Sequence, residues 1–167
     1  AILAAEAVGN PFALHPHNPH YFLFREEPIV LVTSAEHYGA VLNLDFDYRL
    51  YLKTLARDGM NHTRIFVGAY REPAGAFRIA GNTLAPQPGR FIAPWARGDQ
   101  DGYAGGGKRF DLTRWDRAYF RRLRHVVATA SDLGIVLEVN LFCPFYRDSM
   151  WNLSPMNIRN NINGIGA

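Results

Sequence analysis

Short apolar runs alternate with amphipathic stretches between residues 29 and 142, and this order limits the folds open to the chain. The three apolar runs are Ile29–Thr33, Thr63–Val67 and Ile135–Phe142. The first opens with four consecutive apolar residues, which is typical of a strand buried on both faces of a parallel sheet. Strands that alternate with helices predict right-handed βαβ units in one parallel sheet.

Two amphipathic helices are predicted between these strands. The first covers residues 45–57, with Asp45 or Asp47 as its N-cap and Gly59 beyond its end. The second covers residues 113–133 and is closed by Gly134. Its apolar stripe, with members mostly three and four positions apart, consists of Trp115, Tyr119, Leu123, Val126, Val127 and Ala130.

The length of the chain limits how much of such a fold it can hold. A closed (β/α)₈ TIM barrel needs about 250 residues, and this chain has 167. The predicted fold class is therefore α/β, a partial barrel with about the first three strands and two to three helices. Residues 1–28 are predicted to be a lead-in with a hairpin, and residues 29–167 a single domain. The long connection at 71–110 would lie on the face where barrels build active sites.

Composition and charge exclude several partners. No apolar run reaches the roughly 18 residues of a membrane span, and nothing resembles a nucleic-acid-binding module. The net charge is +3, and its densest basic group is Arg117, Arg121, Arg122 and Arg124, which fits either a solvated helix face or an acidic partner. The single cysteine, Cys143, cannot form an internal disulfide and leaves localisation, secreted or cytoplasmic, open.

The pattern His15-x-His17-x-x-His20 contains three potential metal ligands. Its spacing suits neither a strand nor a helix pair and no cysteine lies near it, so turn and capping contacts are predicted instead. We therefore predict no metal site and no cofactor.

Seven stretches carry a resemblance to a known family. They are NPHYF (18–22), SAEHYGAVLNLDFDY (34–48), GMNHTRIFVGAY (59–70), NTLAPQPGRFIAPW (82–95), FDLTRWDRAYFRRL (110–123), GIVLEVNLF (134–142) and NNING (160–164). Together they resemble the N-terminal part of cellulase-like glycoside hydrolases of the clan A type, which are (β/α)₈ barrels.

This resemblance implies hydrolysis of a β-glycosidic bond with retention, in a polysaccharide or oligosaccharide. The reaction uses two carboxylates about 5–5.5 Å apart, one as acid/base and one as nucleophile. In the family they follow later strands, the first in an Asn-Glu pair, and this sequence has no Asn-Glu pair. The catalytic residues are therefore unknown and expected beyond residue 167, and the chain alone is expected to be inactive. The alternative is a non-catalytic carbohydrate-binding or self-assembling half-barrel module.

Eight residues are predicted to bind substrate. Glu36, His37 and Tyr38 directly follow the first strand, where they would either contact sugar or cap the strand. Arg64 lies in the second strand, where it would pair with Glu138 of the third or, as the resemblance implies, orient a carboxylate or sugar hydroxyls.

The other four come from strand ends and loops. Asn140 lies near the end of the third strand, and Tyr70, Trp95 and Trp151 lie in presumed loops around the mouth. Aromatic faces would stack on a sugar ring or, alternatively, pack the loops down. The predicted ligand is a carbohydrate. Unpaired sheet edges also predict a homo-oligomer, or a need for a missing C-terminal half.

Overall fold

The computed structural model describes residues 12–34 and 36–166. It divides into two compact units, Ala1–Val32 and Thr33–Ala167. Residues 1–11 of the predicted lead-in lie outside the described residues. The domain boundary predicted after residue 28 stays a prediction.

The first unit holds a three-stranded antiparallel sheet in the order β1-β2-β3. Its strands are β1 (Phe12–Leu14), β2 (Phe22–Phe24) and β3 (Glu27–Ile29). The hairpin between β2 and β3 turns on Arg25 and Glu26, whose φ angles are 53° and 71°. Two consecutive positive φ values define the tight turn that best matches the twist of a hairpin.

The first strand of the predicted parallel sheet, Ile29–Thr33, does not form. Ile29 ends β3 in the antiparallel sheet, opposite Phe22. Val30 and Val32 are 60% and 44% exposed, which is incompatible with a strand buried on both faces. The local hairpin takes the start of the apolar run, because pairing across a two-residue turn needs no long-range closure.

The second unit contains the βα elements that the sequence predicted well. Helix α1 (Tyr48–Arg57) begins at Asp47, whose carboxylate accepts the backbone N–H groups of Arg49 and Leu50. Strand β4 (His62–Phe66) follows it and pairs in parallel with β7 (Val136–Asn140). The predicted helix 45–57 and the strands near 63–67 and 135–142 are thus confirmed, with ends shifted by a few residues.

An antiparallel hairpin stands where a loop and the start of the second helix were predicted. Strand β5 (Trp95–Asp101) pairs with β6 (Lys108–Trp115). Helix α2 (Arg117–Asp132) therefore begins four residues later than predicted, after its N-cap Asp116, whose carboxylate accepts the N–H groups of Ala118 and Tyr119. Trp115, placed in the inner stripe of this helix by its spacing, is instead 66% exposed at the end of β6.

The predicted fold class is wrong. Among the described residues, β4 and β7 are the only strands that pair in parallel, and the other two sheets are antiparallel. The helices are α1, α2 and the four-residue α3 (Asp148–Trp151). This mixed arrangement does not show a portion of a parallel (β/α)₈ barrel. Self-association through sheet edges stays a prediction. No helix in the described ranges has the length and apolar character needed to cross a membrane.

Gly105 lies against a buried arginine in the turn between β5 and β6. A Cβ on Gly105 would collide with Nη1 of Arg71 and with the ring of Tyr103. Arg71 is buried, donates to the Tyr103 hydroxyl at 3.2 Å and to the Pro86 carbonyl at 3.1 Å, and lies over the Phe91 ring. The missing side chain at Gly105 therefore allows a buried guanidinium to pack against the β5–β6 hairpin.

Candidate functional site

A cleft opens beyond the carboxyl ends of the two parallel strands. Strands β4 and β7 end side by side at Phe66 and Asn140, which are register partners. Ligands in α/β proteins commonly bind at this edge of a parallel sheet. The cavity has a volume of about 490 Å³. We call it the cleft, and its lining residues are Tyr38, Arg64, Phe66, Tyr70, Glu72, Phe77, Ile79, Asn82, Leu84, Asn140, Phe142, Cys143, Pro144 and Tyr146.

Aromatic rings in mutual contact form much of the cleft wall. Tyr38 stacks on Phe66 with ring centroids 4.8 Å apart, and Phe66 meets the ring of Tyr70 edge-on at 5.6 Å. Tyr70 contacts Tyr146 at 6.4 Å, and Tyr146 contacts Phe77 at 6.0 Å. Such offset and edge-to-face pairs hold rings in fixed positions. The cleft therefore presents a preformed apolar wall.

A buried carboxylate, Glu72, lies in the cleft lining. It is 5% exposed and accepts a hydrogen bond from the Tyr70 hydroxyl at 2.8 Å. The Asn82 amide donates to its other oxygen at 2.5 Å. Burial, followed by the bond to Glu72, raises the pKa of Tyr70 well above its ordinary value. Tyr70 therefore remains a neutral donor, and both Glu72 oxygens have a partner within the protein.

A second polar group joins the two parallel strands. Arg64 and Glu138 are register partners, and Nη2 of Arg64 donates to Oε2 of Glu138 at 3.0 Å while Nε lies 2.8 Å from Oε1. The predicted Arg64–Glu138 pair is thus confirmed. The arginine lowers the pKa of the Glu138 carboxyl, and His62 Nε2 lies 3.5 Å from the same carboxylate.

Tyr38 links this pair to the loop that follows residue 35. Its hydroxyl donates to Oε2 of Glu36 at 2.7 Å. That hydrogen bond, together with partial burial, raises the pKa of Tyr38. Glu36 is therefore already occupied as an acceptor, beside a ring that lines the cleft.

Two further lining residues have unusual settings. Phe77 has a φ of 54°, and its ring is 46% exposed. A left-handed conformation in a bulky residue costs on the order of 1–3 kcal/mol and is common at ligand-binding sites. Burial raises the pKa of the Cys143 thiol. A protonated thiol is a poor nucleophile.

Four of the eight predicted site residues come together in the cleft. Tyr38, Arg64, Tyr70 and Asn140 all line it. Glu36 touches it through the Tyr38 hydroxyl. Arg64 and Asn140 lie on β4 and β7 and Tyr70 follows β4, so the prediction of these three positions depended on finding the two strands.

The remaining three lie elsewhere in the second unit. His37 packs its ring between those of Phe46 and Tyr51, at 4.8 and 4.9 Å, and burial lowers its pKa. Trp95 begins β5. Trp151 ends α3 with its ring 5.2 Å from that of Phe145. None of the three lines the cleft as described.

Sequence reasoning missed several lining residues, among them Glu72, Asn82, Phe77 and Tyr146. A signal existed for Glu72, since it follows Tyr70 by two positions in the segment after β4. Phe77 and Tyr146 reach the cleft from loops, for which spacing carries no information.

The structure places no group of three potential metal ligands together among the residues it describes. His15 instead accepts the backbone N–H groups of His17 and Asn18 at its Nδ1, at 3.2 and 3.1 Å. The predicted turn contact is thus confirmed.

Comparison with known proteins gives a likeness in fold. No family model and no curated protein matches this chain. A crystal structure from Bacteroides vulgatus, described as a "putative glycoside hydrolase", superposes with a TM-score of 0.52 at 19% sequence identity. The match covers 77% of this chain and 23% of that one. The second unit and its cleft therefore belong to a chain whose fold resembles part of such a protein.

Proposed function

We propose that this chain supplies the saccharide-binding cleft of a β-glycoside hydrolase that acts with retention. We further propose that the 167 residues alone bind a sugar chain without cleaving it. The observation that carries the proposal is the cleft, in which Tyr38, Arg64, Tyr70 and Asn140 line one cavity at the carboxyl ends of β4 and β7.

The chemistry of the cleft fits a saccharide. A sugar ring has apolar C–H faces and a rim of hydroxyl groups. The rings of Phe77, Tyr146 and Phe142 offer exposed apolar surface, while Arg64 and Asn140 offer polar groups on the two strands. This combination of an aromatic wall with a few placed polar groups is what recognition of a sugar requires.

The three carboxylates in or beside the cleft are poorly suited to act as catalytic groups, because each is already bonded within the protein. Retention needs one carboxylate as a nucleophile and another as acid/base. Glu72 is buried between Tyr70 and Asn82, Glu36 accepts from Tyr38, and Glu138 is paired with Arg64. These commitments support binding by the isolated chain and favour catalysis by carboxylates other than these three. They also favour the alternative, a sugar-binding module that cuts no bond.

Calorimetry of the pure chain with β-linked gluco-, xylo- and manno-oligosaccharides tests the proposal. Tyr146→Ala and Asn140→Ala should each weaken binding of the preferred oligosaccharide about tenfold or more, or ~1.4 kcal/mol. Leu50→Ala is the matched control, since Leu50 is 63% exposed on α1 and does not line the cleft. Thermal unfolding should show that all three variants remain folded.

An aryl β-glycoside assay on the same sample separates binding from catalysis. We expect no release of the aryl alcohol. Turnover abolished by Glu72→Gln or Glu138→Gln would contradict a purely binding role for the isolated chain. The proposed binding role of the cleft would be overturned if Asn140→Ala bound oligosaccharide as tightly as Leu50→Ala, or if the pure chain bound no oligosaccharide.

A further inference from the structure

A second aromatic surface lies at the end of the β5–β6 hairpin, outside the cleft. Trp115 is 66% exposed and faces its register partner Trp95, with ring centroids 6.5 Å apart and planes within 18°. Phe120, 37% exposed in the first turns of α2, meets Trp115 edge-on at 5.7 Å. Buried Tyr119 packs edge-on against Phe120. One indole face is thus held open to solvent on a rigid support.

Three exposed arginines follow on the same helix. Arg117, Arg121 and Arg124 recur at positions i, i+4 and i+7 of α2, so they form one row about 10 Å long. None of them makes an ion pair or a side-chain hydrogen bond with any described residue. We call this surface the helix face, consisting of Trp115, Phe120, Arg117, Arg121 and Arg124.

The charge around the helix face is one-sided. Helix α2 carries four arginines and a single carboxylate, Asp132, which is its last residue. Next to Trp115, Oδ1 of Asp116 caps the helix by accepting from the N–H groups of Ala118 and Tyr119. The three guanidinium groups of the row therefore keep their bonding capacity for an outside anion, and a guanidinium pairs in a fork with carboxylate or sulfate.

We propose that the helix face binds an anionic polysaccharide, through its carboxylate or sulfate groups on the arginine row and a sugar face on Trp115. The assignment to saccharide rests on the proposed function of the cleft in the same chain. Charge also weighs against nucleic acid, because a row of three cations neutralises few phosphates and gives weak binding at physiological salt. Proteins that hold single strands combine several aromatic residues with a long charged groove, whereas the helix face offers one row of three arginines on a single helix.

Affinity electrophoresis through gels that contain polygalacturonate, dextran sulfate or neutral dextran tests this proposal. The chain should be retarded by at least one anionic polymer and not by neutral dextran. Trp115→Ala should weaken retardation about tenfold, and so should the triple variant Arg117→Gln, Arg121→Gln, Arg124→Gln. The two anionic polymers distinguish carboxylate from sulfate as the group recognised.

The chain offers a matched control for net charge. Lys53, Arg57 and Arg159 are exposed elsewhere, and their triple substitution by Gln removes the same charge without touching the helix face. Phe142→Ala removes an exposed ring of the cleft instead. Both controls should retain binding of the anionic polymer.

Four outcomes would overturn the proposal. The first is that the control triple variant weakens retardation as much as the arginine-row triple variant, and the second is that Trp115→Ala leaves retardation unchanged. The third is that a gel containing oligothymidylate retards the chain as strongly as the anionic polysaccharides, and the fourth is that neither anionic polysaccharide retards it. Failure of the cleft to bind neutral oligosaccharides leaves this assay unaffected, because its probes and variants differ. Failure of the two proposals can therefore be told apart.

Discussion

The cleft and the helix face both expose aromatic rings, but they treat charge in opposite ways. In the cleft, Arg64 pairs with Glu138, and Glu72 accepts from Tyr70 and Asn82. On the helix face, the guanidinium groups of Arg117, Arg121 and Arg124 have no partner among the described residues. The first region thus uses its charges to build the site, whereas the second offers them to solvent.

This difference teaches what each region can select. Polar groups already fixed by internal bonds lose little conformational entropy when a ligand arrives, so they favour one geometry. Exposed, unpaired cations attract anions of many shapes, and their attraction falls as salt rises. We therefore expect binding in the cleft to depend on the stereochemistry of the sugar, and binding on the helix face to depend on charge and salt.

The largest expected effect compares two neighbouring arginines of α2. Arg122 donates to the backbone carbonyls of Ala40, Asn43 and Phe46 at 2.8–2.9 Å, and burial lowers its pKa. Arg122→Ala should lower the free energy of unfolding by about 2–3 kcal/mol, because three carbonyls lose a charged donor. Arg121→Ala should change it by less than about 0.5 kcal/mol.

Urea denaturation of the two variants measures this contrast. Equal costs would show that the exposed row supports the fold as well, and the comparison of the two regions would fail. Arg122→Lys serves as a further control, since it keeps the charge but lacks the fork that reaches several carbonyls. It should recover only part of the loss.

A smaller effect concerns Tyr70 in the cleft. Tyr70→Phe should cost about 1–2 kcal/mol, because the buried Glu72 loses one donor. The pKa of Tyr70 is raised in the folded protein, so the folded state holds this proton more tightly than the unfolded chain. Its contribution is complete below the ordinary tyrosine pKa of 10.0 and is lost as the pH rises above it.

Unfolding midpoints of wild type and Tyr70→Phe, measured between neutral pH and about pH 11, test both the stability cost of the substitution and its dependence on pH. The stability difference between the two proteins should shrink as the pH rises through this range, since the variant lacks the titrating group. A constant difference would mean that Tyr70 is not held by burial and by Glu72 in the way described.

The sequence predicted elements whose signals are local. Helix α1 carries its own cap at Asp47, and the runs that become β4 and β7 are apolar and flanked by helices. Because Arg64 and Asn140 lie on these strands, their meeting in the cleft could be predicted from topology alone. The Arg64–Glu138 pair followed from the expense of a charge left without a partner.

The predictions that were wrong concern segments that pair as antiparallel hairpins, which the spacing of apolar residues does not reveal. Residues 113–115 fit the helical spacing predicted for 113–133, but the pairing of 108–115 with 95–101 makes them part of a strand, and Asp116 caps α2. Ile29 likewise pairs with Phe22 across a two-residue turn. The loops that bring Phe77 and Tyr146 to the cleft have no periodicity, so no pattern in the sequence could place them.

The smallest expected effect tests whether the Arg64–Glu138 pair serves the fold or the cleft. The two side chains are 36% and 44% exposed, so solvent screens their attraction, and Glu138→Gln should cost less than about 1 kcal/mol of stability. Glu72→Gln, which changes a buried and fully bonded carboxylate, should cost more and is the comparison variant. If the pair orients Arg64 for a saccharide, Glu138→Gln should also weaken oligosaccharide binding about threefold, or ~0.6 kcal/mol. If calorimetry shows unchanged binding, the Arg64–Glu138 pair is a surface ion pair with no role in recognition. Asn140 and the aromatic wall would then be the groups of the cleft that recognise the saccharide.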